Sequence, residues 1–327
     1  TDVLFGFEEV RGGSANDSLT SVQIIGTNVF LRGNGGSDTI TRAGGNTFSV
    51  YADYANNTSA QGISANLSSG LVLDGLGGTD TLVGIFAIRG GAGNDVVLGT
   101  AAWETFRPLG GDNTFSGGGG SDRVEYFGAQ AGIVADLGTG VVSNNGYGGE
   151  DRLYDIDRIV GSVQADTITG HAGTNEFSGL GGADVFHGNG GGRDRLRYDI
   201  WFGTTPNTQV LVDLALGEAI DGYGTEDTFQ DIDRVTGYSF DDTISGNAFE
   251  NRFNGRAGND RLDGRLGYDW VEYFDATSGV VVNLSTGTAS NDGEGGQDML
   301  TSFEGVIGSN HNDDLTGGAP TIGTHLS

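Results

Sequence analysis

The chain repeats itself with a period of a little over seventy residues. Asp80, Asp151, Asp227 and Asp298 recur at spacings of 71, 76 and 71 residues. A second aspartate follows each of them after fifteen residues, at Asp95, Asp166, Asp242 and Asp313. Internal periods of this size indicate stacked units that bury their apolar residues against their neighbours. The repeat therefore constrains the fold more than any other feature of the sequence.

The repeat divides the chain into one incomplete unit and four copies. We expect the incomplete unit at 1–20, copies at about 21–95, 96–166, 167–242 and 243–313, and a tail at 314–327, all within a single elongated array from 1 to 327. Asp2 and Asp17 show the same fifteen-residue gap, so the chain starts and stops near the same phase of the repeat. We therefore expect it to be a segment of a longer array.

A finer period of nine residues runs inside each copy. From Asp242, steps of nine lead to Asn251, Asp260 and Asp269, and similar runs follow the other aspartates of this series. We call these side chains the register residues. Two residues after each one stands Leu, Ile, Val or Phe, with Ser49 as the exception. An apolar residue at a fixed place in so short a period indicates a very short strand whose middle side chain points inward.

Glycine-rich turns precede the register residues. The segments 33–38, 179–184 and 255–260 read Gly-Asn-Gly-Gly-Ser-Asp, Gly-Leu-Gly-Gly-Ala-Asp and Gly-Arg-Ala-Gly-Asn-Asp. Glycine accepts positive φ angles and lets carbonyl groups turn towards a common point, so such a turn can surround a cation. These segments resemble G-G-x-G-x-D-x-U-x, the calcium-binding nonapeptide of RTX (hemolysin-type) proteins.

The resemblance implies both a fold and a set of calcium ligands. The fold is all-β, a right-handed parallel β-roll or β-solenoid in which two nonapeptides complete one coil. Turns eighteen residues apart would share an ion, which pairs Asp95 with Asn113, Glu104 with Asp122, Asp166 with Asp184, Asp242 with Asp260, and Asn251 with Asp269. The implied side-chain ligands are Asp17, Asp38, Asp95, Asn113, Asp122, Asp166, Asp184, Asp194, Asp242, Asp260, Asp269 and Asp313. The implied turn positions are Gly33, Gly35, Gly117, Gly119, Gly179, Gly181, Gly188, Gly190, Gly255, Ala257 and Gly264.

Some register residues depart from the family pattern. Asn113, Asn175 and Asn251 are neutral, Glu104 is longer, and Thr47 keeps only a hydroxyl, so we expect these sites to be weaker or empty. For the other aspartates the alternative is that they only cap turns, which is a common role of this residue. That alternative stays open above all for the series that begins at Asp80.

The rest of each copy is equally regular. A tyrosine follows the fourth register position, at Tyr51, Tyr126, Tyr198 and Tyr273. Alternating apolar residues then predict a longer strand at 63–67 and its equivalents, which either stays in the roll or folds out as a hairpin. A further apolar set recurs with a spacing of three residues, as in Leu82, Ile85 and Ile88. This spacing favours arcs of a solenoid over an amphipathic helix.

Composition indicates that the fold needs a ligand. The chain has 62 glycines and a formal net charge of −28. Ordering each residue costs on the order of 1–2 kcal/mol, and the lined-up aspartates repel one another. Ca²⁺ takes about six to eight oxygen ligands and would relieve both problems. We therefore expect the protein to fold on binding several Ca²⁺ ions, with no other cofactor.

Composition also excludes several classes of function. Cysteine is absent and all sixteen basic residues are arginine, so disulfides, cysteine-zinc sites and lysine chemistry are excluded. The acidic balance argues against nucleic acid as a partner. No apolar run approaches the roughly 18 residues of a transmembrane segment, and the first residues do not read as a signal peptide. We expect a secreted or cell-surface protein, and the resemblance implies type I secretion.

We predict a structural, display or adhesion module of a larger extracellular protein and no enzymatic activity. The alternative is a module, catalytic or not, of a polysaccharide-active enzyme of the alginate epimerase or lyase type. The expected partners are calcium and extracellular polysaccharide or cell-surface matrix. Trp201 and Phe202 lie in the longest insertion of the repeat and are the candidates for ligand contact, because loops carry binding residues more often than regular elements do.

Overall fold

Very short β-strands, most of them three residues long, make up the regular structure. The computed structural model describes residues 8–21, 28–43, 49–200 and 205–318, together with the backbone of 325–326. Within these ranges there is no helix, and so none that has the length and apolar character needed to cross a membrane. The chain forms two compact units, Thr1–Ser162 and Val163–Ser327.

The strands of the first unit are β1 (Glu9–Arg11), β2 (Ser18–Ser21), β3 (Val29–Arg32), β4 (Thr39–Arg42), β5 (Val50–Asp53), β6 (Ser64–Asn66), β7 (Leu71–Leu73), β8 (Thr79–Val83), β9 (Ala87–Arg89), β10 (Val96–Leu98), β11 (Thr105–Arg107), β12 (Thr114–Ser116), β13 (Arg123–Glu125), β14 (Val134–Asp136), β15 (Val141–Asn144), β16 (Asp151–Tyr154) and β17 (Arg158–Val160). Six of them begin directly after a register residue, as β10 begins after Asp95 and β12 after Asn113.

The strands of the second unit are β18 (Thr167–Thr169), β19 (Glu176–Ser178), β20 (Val185–His187), β21 (Arg195–Arg197), β22 (Leu211–Asp213), β23 (Glu218–Ile220), β24 (Glu226–Gln230), β25 (Arg234–Thr236), β26 (Thr243–Ser245), β27 (Arg252–Asn254), β28 (Arg261–Asp263), β29 (Trp270–Glu272), β30 (Val281–Asn283), β31 (Thr288–Asn291), β32 (Asp298–Thr301), β33 (Gly305–Ile307), β34 (Asp314–Thr316) and β35 (His325–Leu326).

Each unit contains one sheet in which all pairings are parallel. In the first unit the order is β1-β3-β5-β9-β11-β13-β17. In the second it is β19-β21-β25-β27-β29-β33-β35. The chain visits this parallel sheet once in each coil, as a parallel β-roll requires. The predicted all-β parallel solenoid is confirmed for this sheet.

The second sheet of each unit is mixed. Its order is β2-β4-β8-β7-β6-β10-β12-β16-β15-β14 in the first unit. In the second unit it is β18-β20-β24-β23-β22-β26-β28-β32-β31-β30-β34. Three consecutive strands, such as β6, β7 and β8, run up and down where the roll needs only one. We call each set of three an antiparallel insertion.

The prediction of a longer strand at 63–67 was wrong. That segment forms only the three-residue strand β6, and the chain then reverses through a hairpin into β7. The reversal uses a glycine with positive φ in each copy, Gly70, Gly140, Gly217 and Gly287, at φ 69°, 71°, 71° and 68°. A turn of this kind admits residues other than glycine only with strain. The hairpin alternative is therefore the one adopted.

The core of each unit lies between its two sheets. The apolar residue two positions after a register residue is the middle residue of its strand, and Val97, Phe106 and Phe115 are at most 2% exposed. Phe106 of the parallel sheet stacks on Phe115 of the mixed sheet, with ring centroids 5.1 Å apart. Phe177 and Phe186 make the corresponding contact in the second unit at 5.9 Å. This ladder of single side chains is the thin core that the period predicted.

Candidate metal centres in the glycine-rich turns

Each register side chain joins two neighbouring coils. In seven pairs, the Oδ1 atom of the later register residue accepts a hydrogen bond from the backbone N–H of the register residue one coil earlier in the chain. The pairs, given as donor and acceptor, are Asp17 and Asp38 (2.8 Å), Asp95 and Asn113 (2.9 Å), Glu104 and Asp122 (2.6 Å), Asp166 and Asp184 (2.8 Å), Asn175 and Asp194 (2.7 Å), Asp242 and Asp260 (2.8 Å), and Asn251 and Asp269 (2.7 Å). The pairs expected from the eighteen-residue spacing are thus direct neighbours.

The second oxygen of the register residue separates the turns into two kinds. In closed turns it accepts the N–H of the residue four positions earlier in the same turn, as Asp95 does from Gly91 (3.0 Å) and Asp242 from Tyr238 (2.6 Å). In open turns it is buried and has no hydrogen-bond partner. The open turns belong to Asp38, Asp122, Asp184, Asp194, Asp260 and Asp269. Every open turn is thus the later member of one of the hydrogen-bonded pairs given above.

The backbone explains the difference between the two kinds of turn. In the open turns the residue four positions before the aspartate has positive φ: Asn34 (66°), Gly118 (89°), Leu180 (74°), Gly190 (65°), Arg256 (72°) and Arg265 (64°). Its N–H therefore does not face the carboxylate. Four of these six residues are not glycine, although positive φ strains them. The glycine content alone could not have distinguished open turns from closed ones.

The first residue of each open turn must be glycine for a different reason, which is the space that a Cβ atom would need. A Cβ atom on Gly33, Gly179 or Gly255 would overlap the free oxygen of Asp38, Asp184 or Asp260. Two residues later, a Cβ on Gly35 would find its nearest neighbour at 3.9 Å. That second position therefore tolerates a side chain, which accounts for Ala257.

Burial raises the pKa of the open-turn carboxyls. The pKa is about 9 for Asp184 and Asp260, and about 7 for Asp122 and Asp269, with desolvation as the first cause in each. For Asp184 and Asp260 the next cause is the negative charge of a neighbouring aspartate, Asp227 or Asp298. A buried carboxylate with no donor is costly unless a proton or a cation satisfies it.

The donor set of the open turns fits calcium. Across the described residues, no three or more His, Cys, Asp or Glu side chains are grouped so that they could hold a metal ion by themselves. Backbone oxygens border the same hollows: a Cβ on Gly117 would overlap both Asp122 Oδ2 and the carbonyl oxygen of Asp155. Carboxylate and carbonyl oxygens are the ligands that Ca²⁺ prefers.

The comparison with known families gives the same assignment. One family model describes four copies of the RTX calcium-binding nonapeptide repeat. It matches residues 27–48, 87–106, 109–125, 153–186, 160–196 and 236–271. The chain contains RTX calcium-binding nonapeptide repeats. These RTX repeats are typical of secreted proteins and of calcium-binding structural modules. No curated protein matches the chain.

The candidate ligands of the RTX repeats do not all have the same environment. Asp17, Asp95, Asp242 and Asp313 lie in closed turns, where an N–H group of the same turn already binds the second oxygen. Asp166 has a buried side chain beside Asp184. In Asn113 the amide nitrogen takes the place of the free oxygen and donates to Asp151 and Gly110. Thr47, Trp201 and Phe202 lie outside the described residues.

The sequence did not identify the buried tyrosine of each copy correctly. Tyr126, Tyr198 and Tyr273 donate their hydroxyl hydrogens to Asp151, Asp227 and Asp298 at 2.8, 3.2 and 2.7 Å. In the first copy the equivalent bond comes from Tyr54 to Asp80, at 3.0 Å. Tyr51 instead bonds Glu125, and its ring lies 4.5 Å from the Arg107 guanidinium. The assignment failed because the register of the first copy is displaced by three residues.

We predict that Gly33→Ala weakens calcium binding and Gly35→Ala does not. The new methyl group at position 33 would displace the free oxygen of Asp38, whereas the one at position 35 meets open space. We expect Gly33→Ala to destabilise the calcium-loaded protein by about 1–3 kcal/mol, in the range of substitutions that disturb a buried network. Denaturant unfolding in excess calcium measures the difference. Equal stability of the two variants would contradict the open-turn geometry.

We predict that the metal-free protein becomes more stable on acidification. The raised pKa values, about 9 for Asp184 and Asp260, mean that the folded state holds protons that the unfolded state releases above its pKa near 4. This contribution to stability is present below about pH 4 and is lost as the pH rises to about 9. The β-signal of the metal-free protein in chelator, followed by far-ultraviolet circular dichroism, should therefore rise from pH 9 to pH 6.

The Asp184→Asn/Asp260→Asn variant is the control for the pH dependence. It cannot titrate at these positions, so its β-signal in chelator should vary less with pH than that of the parent protein. In excess calcium the parent protein should lose the effect, because the cation favours the charged carboxylates. A β-signal of the metal-free parent protein that decreases as the pH is lowered from 9 to 6 would contradict the raised pKa values.

Proposed function

We propose that the chain is a secreted calcium-binding β-roll segment that folds on binding Ca²⁺ and serves as a structural, display or adhesion module of a larger extracellular protein. The observation that carries the proposal is the free, buried carboxylate oxygen of the open turns, present at Asp38, Asp122, Asp184, Asp194, Asp260 and Asp269. Each of these oxygens needs a positive partner, and the RTX repeats indicate which one.

We propose one Ca²⁺ ion for each open turn. The register aspartate and the turn carbonyls would hold the ion, and bound calcium would supply the positive charge that the buried carboxylates lack. Because the unfolded chain has no such site, binding free energy would appear as folding free energy. The asparagine turns at Asn113 and Asn175 would stay empty, since their amide nitrogens already donate to neighbouring oxygens.

The proposal makes the chain a scaffold without catalytic activity, exported by the type I route. Support comes from the structural role that is typical of RTX repeats and from a fold in which most register side chains are buried between neighbouring coils. The domain organisation belongs to the same proposal: an array of copies, each with the same register and the same antiparallel insertion.

We predict a cooperative gain of β-structure when calcium is added to chelator-treated protein. Neutralising the open-turn carboxylates removes the charge repulsion that opposes folding of a chain with a net charge of −28. Far-ultraviolet circular dichroism during a calcium titration measures the change, with magnesium as the control ion. Magnesium demands a near-octahedral site and dehydrates reluctantly, so it should have little effect. A full β-signal in chelator would rule out calcium-coupled folding.

We also propose extracellular polysaccharide or cell-surface matrix as the partner. The outer face of the mixed sheet in the first unit supports a contact surface, because Leu71, Leu73, Val96 and Leu98 are 41–57% exposed on β7 and β10, the two strands that flank β6. Exposed apolar patches of this kind mark interaction sites. Calcium-loaded protein should be retarded in gels that contain the polysaccharide, and Leu73→Ser should migrate faster. Migration unaffected by every polysaccharide tried would remove this partner.

A further inference from the structure

The loop before each Asp80-type residue contains an acidic or amide side chain that the nonapeptide motif does not include. In the first copy this residue is Asp74, between β7 and β8, and in the last copy it is Asp292, between β31 and β32. Asp74 Oδ1 accepts the N–H groups of residues 76, 77 and 78 at 2.8–2.9 Å. Asp292 Oδ1 accepts those of residues 294, 295 and 296 at 2.8 Å. Both aspartates lie outside every segment that the RTX model matches.

The second oxygens of these aspartates are buried and unpartnered. Asp74 is fully buried and Asp292 is 1% exposed, and the Oδ2 atom of each has no hydrogen-bond partner. The open-turn residue of the neighbouring coil, Asp38 or Asp260, has a free Oδ2 atom as well. Each of these two copies therefore buries two carboxylate oxygens that lack a donor.

The second copy has amides at the same two places. Asn113 corresponds to Asp38, because its Oδ1 accepts the N–H of Asp95 as Asp38 Oδ1 accepts that of Asp17. Asn145 corresponds to Asp74, because its Oδ1 accepts the N–H groups of residues 147 and 149. In both amides the nitrogen thus stands where the aspartate has its free oxygen.

The two amide nitrogens point into one hollow. Asn113 Nδ2 donates to Gly110 O at 3.0 Å and to Asp151 Oδ1 at 2.9 Å. Asn145 Nδ2 donates to Gly111 O at 2.9 Å and to the same Asp151 oxygen at 3.1 Å. The hollow is therefore lined by two carbonyl oxygens and one carboxylate oxygen, and N–H donors satisfy all three.

In the first and last copies, oxygen atoms line the corresponding hollow, but the two amide donors are absent. Asp80 Oδ1 and Asp298 Oδ1 hold the place of Asp151 Oδ1 and accept the N–H of Asp38 and Asp260 at 2.9 and 3.1 Å. A Cβ on Gly78 would overlap Gly36 O and lie 2.8 Å from Asp74 Oδ2, so these two oxygens are neighbours. Gly296 shows the same arrangement with Gly258 O and Asp292 Oδ2.

Two amide donors replaced by two carboxylates leave only acceptors facing one another, and such a hollow needs a proton or a cation. We propose that one Ca²⁺ ion binds between Asp38 and Asp74 and another between Asp260 and Asp292, and that Asn113 and Asn145 make the second copy independent of metal at this place. Two carboxylates and the carbonyl oxygen of Gly36 or Gly258 supply three ligands, which water would complete to the six or more that calcium takes.

The inference rests on the proposed calcium binding and adds its ligands from outside the RTX motif. It is restricted to two copies, because the third has a partial substitute. There the Thr225 hydroxyl donates to Asp221 Oδ2 at 2.6 Å, so that oxygen is not free.

The test exchanges the aspartates and asparagines between copies. Asp74→Asn/Asp292→Asn should bind two calcium ions fewer, or bind two of them at least tenfold more weakly, as measured by equilibrium dialysis and isothermal titration calorimetry. Asn113→Asp/Asn145→Asp should gain one ion. Its folding should require a higher calcium concentration than that of the parent protein, and in excess calcium it should show a cooperative thermal unfolding transition, which also shows that the variant folds.

Glu218→Gln/Glu226→Gln is the matched control, because it removes two charges at exposed positions and should leave the number of bound ions unchanged. Parent protein that binds no calcium would overturn the proposed function and this inference together. Parent protein that binds calcium, with unchanged numbers and affinities in both exchange variants, would overturn this inference alone and leave the register turns as the binding sites.

Discussion

The fold depends on one interaction, the hydrogen bond from the backbone N–H of a register residue to the Oδ1 atom of the register residue in the next coil. It extends the backbone ladder by one rung: Thr114 donates to Asp95 O, and Asp95 N–H then donates to Asn113 Oδ1. In the open turns, the register side chain therefore has one oxygen that joins the coils and a second oxygen with no hydrogen-bond partner. The two roles considered for these aspartates, capping a turn and binding calcium, therefore concern different oxygen atoms of one carboxylate.

The division of roles makes the fold dependent on its environment. An apolar ladder of single Phe, Val, Leu and Ile side chains offsets only part of the entropy of ordering a glycine-rich chain. The buried carboxylates oppose folding further unless something positive satisfies them. Asparagine offers a second solution at the same place, since its amide satisfies the hollow without metal. The chain thus contains a carboxylate version and an amide version of one turn.

The sequence predicted the parts of the structure that are periodic and missed those that depend on backbone conformation. The nine-residue register and the very short strands followed from spacing, and the coil-to-coil neighbours followed from the resemblance to RTX repeats. The antiparallel insertions did not, because β6 has the same alternation whether it stays in the roll or pairs with β7. The open turns could not be predicted from the sequence either. Leu180 and Arg256 adopt positive φ against their preference, and only the surrounding coils impose this conformation. Asp74 was missed because it lies one residue before the nonapeptide begins.

The hydrogen bonds between register residues all point the same way along the chain. In every pair the earlier turn donates its N–H and the later turn accepts with its carboxylate or amide oxygen. The two edges of a stack of turns are therefore chemically different, one presenting acceptors and the other unfilled donors. A turn already in place offers an acceptor to the segment that precedes it in sequence and a donor to the segment that follows. The stack can therefore be extended at either end, but each end requires a different group from the turn that is added.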